Sequence, residues 1–82
     1  MNYYVYLIHN KKHDKFYIGQ TYDVKKRLIE HNSGLSTYTA KYDGEWIKVY
    51  EEKFKDRGNA MRREKFLKAQ KSKLFYKNLC RI

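Results

Sequence analysis

The length of the chain constrains its fold more than any other feature of the sequence. A chain of 82 residues buries only about 60–65 % of its unfolded surface, so it supports one small domain with one hydrophobic core. Residues 1–82 are therefore predicted to form a single domain. This length excludes two catalytic domains, and no segment approaches the roughly 20 apolar residues that a transmembrane helix needs.

The N-terminus and the cysteine content bear on the expected location. Residues 1–4 lack the basic and apolar regions of a secretory signal, so we expect no leader. The single cysteine, Cys80, cannot form an intramolecular disulfide or a cysteine-rich zinc site. A reducing cytoplasm is the expected location.

Positive charge is concentrated in the last third of the chain. Residues 1–52 carry eight Lys or Arg and seven Asp or Glu, a net charge of +1, whereas residues 53–82 carry eleven and two, a net charge of +9. The 13 Tyr and Phe residues exclude a disordered chain, so this charge belongs to a folded surface. Such a surface favours nucleic acid, either DNA or RNA, as a partner. An anionic membrane needs a stronger amphipathic face than the lysine spacing gives.

Three short runs rich in aromatic and β-branched residues predict strands. They lie at residues 3–8, 16–21 and 46–52. Alternation in the third run predicts that Ile47 and Val49 are buried, while Trp46 and Tyr50 lie on a partly hydrated face. Gly19 interrupts the second run, and it either forms a bulge or marks close approach of another group.

Aspartates that can cap helices precede two further segments. Asp23 is predicted to cap a helix over residues 24–32, and Asp56 one over residues 58–70, with a last short helix between residues 71 and 79. The resulting order, β-β-α-β-α-α, predicts an α+β domain. Its sheet is three-stranded and mainly antiparallel, and helices flank it.

Five polar side chains from separate elements are predicted to point inward. On the first helix, His31 falls within the apolar stripe and Arg27 at its edge. On the second helix, Glu64 shares a stripe with Ala60 and Leu67. Burial of unpaired Arg and Glu is costly, so these groups either pair with each other or line a cleft. The five are Tyr6, Tyr17, Arg27, His31 and Glu64.

The order and spacing of these residues resemble the GIY-YIG nuclease superfamily over essentially the whole chain. The second motif is present as Tyr-Ile-Gly at residues 17–19. In the first motif, Tyr4 and Val5 stand in place of Gly and Ile, while the tyrosine is kept as Tyr6. The chain is most similar to small stand-alone bacterial members. Those members lack the DNA-targeting domains of the homing endonucleases and of the excision-repair nuclease.

The resemblance implies a metal-dependent endonuclease that hydrolyses DNA phosphodiester bonds with low sequence specificity. It also implies structure-selective cutting in repair or recombination as a role. Glu64 would bind one Mg²⁺ or Mn²⁺ ion, and Arg27 would bind the phosphate. Tyr6, its pKa lowered by nearby cations, would act as general base. Tyr17 and His31 would orient water and phosphate or relay the proton.

The resemblance also suggests supporting residues around this set. Gly19 is expected to shape the site, and Asn78 loosely matches a late asparagine of some members. Basic residues expected to attract phosphates without reading sequence are Lys26, Arg63, Lys65, Lys68, Lys71 and Lys73. A partner protein could supply targeting.

Structural roles and a second function stay open at this point. The two tyrosines could be ordinary core residues, and Glu64 could pair with Arg63 or Lys68. The alternative function is a non-catalytic DNA- or RNA-binding module on the same fold. Such a module predicts nucleic-acid affinity without metal-dependent cleavage, and indifference to Glu64→Ala.

Overall fold

Strands and helices follow one another in the predicted order. The computed structural model describes residues 1–82. Its elements are β1 (Tyr3–Asn10), β2 (Lys15–Thr21), α1 (Val24–Asn32), β3 (Trp46–Phe54), α2 (Arg57–Gln70) and α3 (Lys73–Cys80). The α+β class and the order β-β-α-β-α-α are therefore confirmed. None of the three helices combines the length and the apolar character needed to cross a membrane.

The sheet has β1 at its centre. Its strand order is β2-β1-β3, and both pairings are antiparallel. Residues 5–10 of β1 are all buried, which fits the most continuous apolar run of the sequence. β2 is an edge strand, and the register sets Gly19 of β2 directly opposite Tyr6 of β1.

Two hydrophobic clusters cover the two faces of this sheet. The larger lies on the face that α2 and α3 cover, and its buried members are Val5, Leu7, Ile18, Ala60, Leu67 and Tyr76. The smaller lies on the opposite face against α1, and its buried members are Tyr6, Ile8 and Trp46. Because side chains alternate along β1, Tyr6 points to the α1 side while its neighbours Val5 and Leu7 point to the larger cluster.

A bulge in β3 reverses part of the predicted burial. The pairing register with β1 shifts between Leu7 and Ile8, which leaves Val49 as the extra residue. Trp46 is buried with 2 % of its surface exposed, whereas Ile47 is 45 % exposed. The predicted burial of Ile47 and the predicted partial hydration of Trp46 are therefore both wrong. Strict alternation assigned the faces incorrectly because one extra residue exchanges the two faces beyond it.

The segment between α1 and β3 contains a short 3₁₀ helix, Thr39–Lys41, in a stretch predicted as loop. Asn32 anchors this segment, because its side chain accepts from the Trp46 N–H at 2.8 Å and donates to the Trp46 carbonyl at 2.9 Å. Ser36 and Thr39 are buried as a result. The segment thereby brings a hydroxyl group against α1.

Candidate active site

Tyr6 lies at the centre of the polar cluster. Its side chain is 1 % exposed, and its hydroxyl oxygen lies 2.9 Å from Nε2 of His31. A Cβ atom on Gly19 would lie 2.5 Å from the Tyr6 hydroxyl oxygen and 2.7 Å from Cζ. Contacts that short do not occur between these atoms, so only glycine at position 19 leaves room for the Tyr6 ring.

His31 is hydrogen-bonded at both ring nitrogens. Its Nδ1 lies 2.9 Å from Oγ1 of Thr39, and the Thr39 hydroxyl donates to the Ser36 carbonyl at 3.4 Å. Because the Thr39 hydrogen is used there, Oγ1 accepts from the His31 Nδ1–H, and Nε2 is left to accept from the Tyr6 hydroxyl. Burial, with repulsion from Arg27, lowers the pKa of His31 to about 4. The ring is therefore neutral at pH 7 and has a proton-accepting nitrogen aimed at Tyr6.

The protonation of Tyr6 differs from the expectation. Burial raises the pKa of Tyr6 above its usual value, and the nearby Tyr17 and Glu64 raise it further, while Arg27 opposes them. The expected lowering by cations is therefore wrong, because the loss of hydration outweighs one guanidinium. Tyr6 keeps its proton in the free protein, and its hydroxyl is hydrogen-bonded to Nε2 of His31.

Tyr17 and Arg27 flank this pair. The Tyr17 ring centroid lies 6.3 Å from that of Tyr6 and 4.7 Å from that of His31. Arg27 lies one helical turn before His31 on α1, and its Nη1 contacts Oε1 of Glu30 at 3.2 Å. The Arg27 side chain is 30 % exposed, so the guanidinium can meet a ligand from solvent while Glu30 orients it.

Glu64 approaches from α2. It affects the pKa of Tyr6, and it also makes the predicted structural ion pair, with its carboxylate 2.8 Å from Nζ of Lys68. Its side chain is 20 % exposed and lines a cavity of about 570 Å³ between β2 and α2. On the same wall, Oε1 of Gln20 is buried without a hydrogen-bond partner.

The structure thus brings together side chains that are far apart in sequence. The cluster, called the Tyr6 cluster below, consists of Tyr6, Tyr17, Arg27, His31 and Glu64. Asn78 does not join it: it lies exposed on α3, and no hydrogen bond connects its side chain to the cluster.

The basic residues singled out in the sequence divide into two groups. Lys65 and Lys68 line the Glu64 cavity, and Lys26 lines a small groove with Arg27. Arg63 instead pairs with Glu52 at 3.1 Å. Among the others, Lys71 is exposed at the end of α2, and Lys73 lies 3.7 Å from Asp14. Only the first group borders the Tyr6 cluster.

Two residues with a place in the site were not found from the sequence. Thr39 holds Nδ1 of His31, and Arg62 lines the cavity beside Glu64. Thr39 follows His31 by eight residues through a turn that no periodicity predicts. The sequence does contain a signal for Arg62, because this residue lies two positions before Glu64 in the most basic part of the chain.

Comparisons with known proteins identify the family of the chain. The GIY-YIG catalytic domain family matches residues 2–78. UPF0213 protein SH2523 of Staphylococcus haemolyticus is 36 % identical over 61 residues, which cover 74 % of this chain and 73 % of that protein. The solution NMR structure of UPF0213 protein BH0048 from Bacillus halodurans is 32 % identical with a TM-score of 0.57, and the match covers 96 % of this chain and 82 % of that one. The resemblance stated from the sequence is confirmed, and the chain belongs to the GIY-YIG catalytic domain family.

Proposed function

We propose that the protein is an endonuclease that hydrolyses phosphodiester bonds of DNA with the help of one divalent metal ion. Family membership implies nuclease-type chemistry. The observation that carries the specific proposal is the 2.9 Å hydrogen bond from the buried Tyr6 hydroxyl to a neutral His31, with Arg27 and Glu64 beside it. A core tyrosine with a purely structural role does not need a guanidinium at its hydroxyl, nor a carboxylate near enough to influence its pKa.

Tyr6 and His31 form a proton relay for the attacking water. As water attacks phosphorus, the Tyr6 oxygen takes a proton from it, and the Tyr6 proton passes to Nε2 of His31. The phosphate charge of a bound substrate favours the imidazolium that forms and so acts against the lowering of the His31 pKa by burial. Thr39 holds the imidazole in the tautomer that this transfer requires.

Arg27 and Tyr17 bind and orient the phosphate. The pentacoordinate transition state carries more charge on its equatorial oxygens than the substrate does, and a fixed guanidinium stabilises that charge. Arg27 has free donors because Glu30 occupies one side of its planar fork. Tyr17, packed at 4.7 Å against His31, offers a hydroxyl on the same side of the site.

The donor set around Glu64 fits a weakly held Mg²⁺ or Mn²⁺ ion. Mg²⁺ keeps several waters and takes one or two carboxylates together with phosphate oxygens. Glu64 therefore suffices as the protein ligand, whereas a cage made only of protein side chains would need several ligands. No group of three His, Cys, Asp or Glu forms such a cage. Lys68 contacts Oε2 of Glu64 at 2.8 Å, which leaves Oε1 to bind the ion. When bound, the ion supplies charge neutralisation at the leaving oxygen.

Low sequence specificity is part of the proposal. The cations beside the Tyr6 cluster, among them Lys65 and Lys68, contact phosphates, and phosphate contacts position a nucleic acid without reading its bases. The proposal includes selectivity for branched or nicked DNA, in which the protein recognises the shape of the substrate. Such cutting belongs to repair or recombination. A separate targeting partner stays a prediction.

A cleavage panel tests the proposal. Labelled duplex, single-stranded, nicked, flap and four-way DNA, and RNA, are incubated with Mg²⁺, Mn²⁺ or EDTA. Wild type should cut only with metal, and Tyr6→Phe should be slower by at least about 100-fold, since it removes one proton-transfer group. Tyr3→Phe, on the same strand but packed against the larger cluster, is the matched control and should keep full activity.

Two outcomes would contradict the proposal. Tyr6→Phe cutting at the wild-type rate would remove Tyr6 from the chemistry. Binding without cutting under every metal would favour the non-catalytic DNA- or RNA-binding module.

A further inference from the structure

A second, apolar pocket lies beside the Tyr6 cluster. Its volume is about 260 Å³, and it opens at the free edge of β2. It is lined by Phe16, Tyr17, Ile18, Tyr38, Lys68 and Tyr76. Five of these six side chains are hydrophobic and four are aromatic, so the pocket offers π faces with one cation at its rim.

We propose that this pocket binds one unpaired nucleobase of the substrate, so that the protein favours single-stranded or locally unpaired nucleic acid over a continuous duplex. This inference rests on the proposed function, because it names the substrate class of the same site.

The size and walls of the pocket fit a single planar heterocycle. Pockets for drug-sized ligands begin at about 300 Å³, so a pocket of 260 Å³ suits a smaller group. The Tyr17 and Tyr38 rings lie 5.6 Å apart on one side, and the Phe16 and Tyr76 rings lie 5.5 Å apart on the other. Aromatic side chains bind bases by stacking, which tolerates any base because each has a π face.

The free edge of β2 adds hydrogen-bonding capacity. Phe16 and Ile18 point to one face of the sheet and Tyr17 to the other, so a pocket that all three line spans the strand's edge. No strand pairs with β2 on this side, so its outward backbone N–H and C=O groups are available to a base. A peptide strand could use the same groups, but the surrounding charges favour a polyanion.

Cations surround the aromatic wall. Nζ of Lys41 lies 6.0 Å from the centroid of the Tyr38 ring, and Nζ of Lys15 lies 5.5 Å from that of Tyr42. Tyr38 and Tyr42 are themselves 5.8 Å apart, so the aromatic surface continues outward from the pocket. Alternating rings and cations are typical of surfaces that bind single strands, because the rings stack with bases and the cations meet phosphates.

Shared residues connect the pocket to the proposed chemistry. Tyr17 lines the pocket and belongs to the Tyr6 cluster, and Lys68 lines both this pocket and the Glu64 cavity. A base held there therefore places its neighbouring phosphate near Arg27 and Glu64. In a continuous duplex that base is stacked and paired, and it would first have to be flipped out.

The test measures binding in EDTA, so it does not depend on turnover. A labelled oligothymidylate, an abasic strand of equal length and a duplex are titrated at one salt concentration. Wild type should bind the oligothymidylate roughly five- to 150-fold more tightly than the abasic strand, as stacking of one base predicts. Tyr38→Ala should abolish most of that difference and leave abasic binding unchanged.

Matched variants separate stacking from other effects. Tyr38→Phe keeps the ring and should bind as wild type does. Phe66→Ala removes an aromatic ring that is 50 % exposed on α2 outside the pocket, and it should also bind as wild type does. Thermal unfolding of each variant checks its fold. If Tyr38→Ala does not fold, the affinities of wild type for the oligothymidylate and for the abasic strand still test the pocket proposal.

The pocket proposal and the nuclease proposal can fail separately. Equal binding of oligothymidylate and abasic strand, tighter binding of duplex, or equal weakening of both strands by Tyr38→Ala would overturn the pocket proposal, whether or not the protein cuts. Base-dependent binding that Tyr38→Ala removes would support it, even if no substrate is cleaved.

Discussion

At the residue scale, burial sets the protonation of the two groups at the centre of the site. Tyr6 and His31 share one hydrogen bond and are only 1 % and 2 % exposed in the free protein, so the tyrosine stays protonated and the histidine stays neutral. Sequence spacing predicted their proximity to each other and to Arg27. It could not predict the pKa directions, because those depend on how fully the folded chain excludes water.

The lowered pKa of His31 should make stability depend on pH. The unfolded chain binds a proton at His31 near pH 6.5, whereas the folded chain resists it until about pH 4. Stability is therefore lost as the pH falls through that window, by up to about 1.4 kcal/mol per pH unit. Urea unfolding of wild type and His31→Gln at several pH values measures this. His9 and His13 are common to both proteins, so parallel pH profiles would contradict the assignment.

Gly19→Ala tests the packing of Tyr6 against β2. The added Cβ would meet the Tyr6 ring at 2.5–2.7 Å, and a buried ring has little room to move. We expect the free energy of unfolding to fall by about 1–3 kcal/mol, as for other overpacked sites. In Gly58→Ala the new Cβ meets no backbone atom or ring, only the ends of the Asp56 side chain at 3.2 Å and of Arg62 at 3.7 Å, so this control should lose less stability than Gly19→Ala. A neutral Gly19→Ala would be inconsistent with the packing described.

At the scale of elements, local signals were sufficient for the helices. Asp23 and Asp56 each accept a backbone N–H at the start of their helix, as predicted, because capping depends on residues two or three positions apart. The β3 bulge and the Thr39 contact depend on pairings between distant parts of the chain. No period in the sequence records either of them, so burial of Ile47 was misassigned and Thr39 was not found.

Asp23 supports the helix that carries Arg27 and His31. Its Oδ1 accepts the Lys26 N–H at 3.0 Å, so Asp23→Ala should lower the free energy of unfolding by about 1 kcal/mol. Asp23→Asn keeps an acceptor oxygen and should retain most of that stability. Chemical denaturation of the three proteins distinguishes them. A loss of equal size in Asp23→Asn would mean that the carboxylate charge matters, and the cap does not.

At the scale of the whole molecule, the basic C-terminal third divides between two places. Lys65 and Lys68 lie beside Glu64, whereas Lys73 and Lys77 lie 3.7 and 3.2 Å from Asp14. Hydrogen bonds from His9, which is the larger cause, and from Lys77 lower the pKa of Asp14 to about 2, so this acid is charged at neutral pH. The sequence shows the total charge of the C-terminal third, but it does not show that these cations are divided between two surfaces.

This division predicts which lysines bind the phosphates of DNA. Removal of one lysine–phosphate ion pair should reduce the slope of log K against log salt by just under one. Lys65→Gln should therefore weaken binding and flatten the slope, while Lys73→Gln should change both much less. Fluorescence anisotropy at several salt concentrations gives both slopes. Equal effects of the two variants would contradict the division.

Hydrolysis of DNA at the Tyr6 cluster requires that Glu64 serve the chemistry more than the binding of substrate. We would therefore compare metal-dependent cleavage and DNA affinity in wild type, Glu64→Gln and Glu45→Gln. Glu45 is exposed and lies outside the Glu64 cavity, so its variant makes the same charge change away from the site. We expect Glu64→Gln to lose cleavage while binding DNA at least as tightly, and Glu45→Gln to match wild type. Cleavage by a folded Glu64→Gln protein at the wild-type rate would contradict the proposed role of Glu64 and, with it, the metal-assisted mechanism.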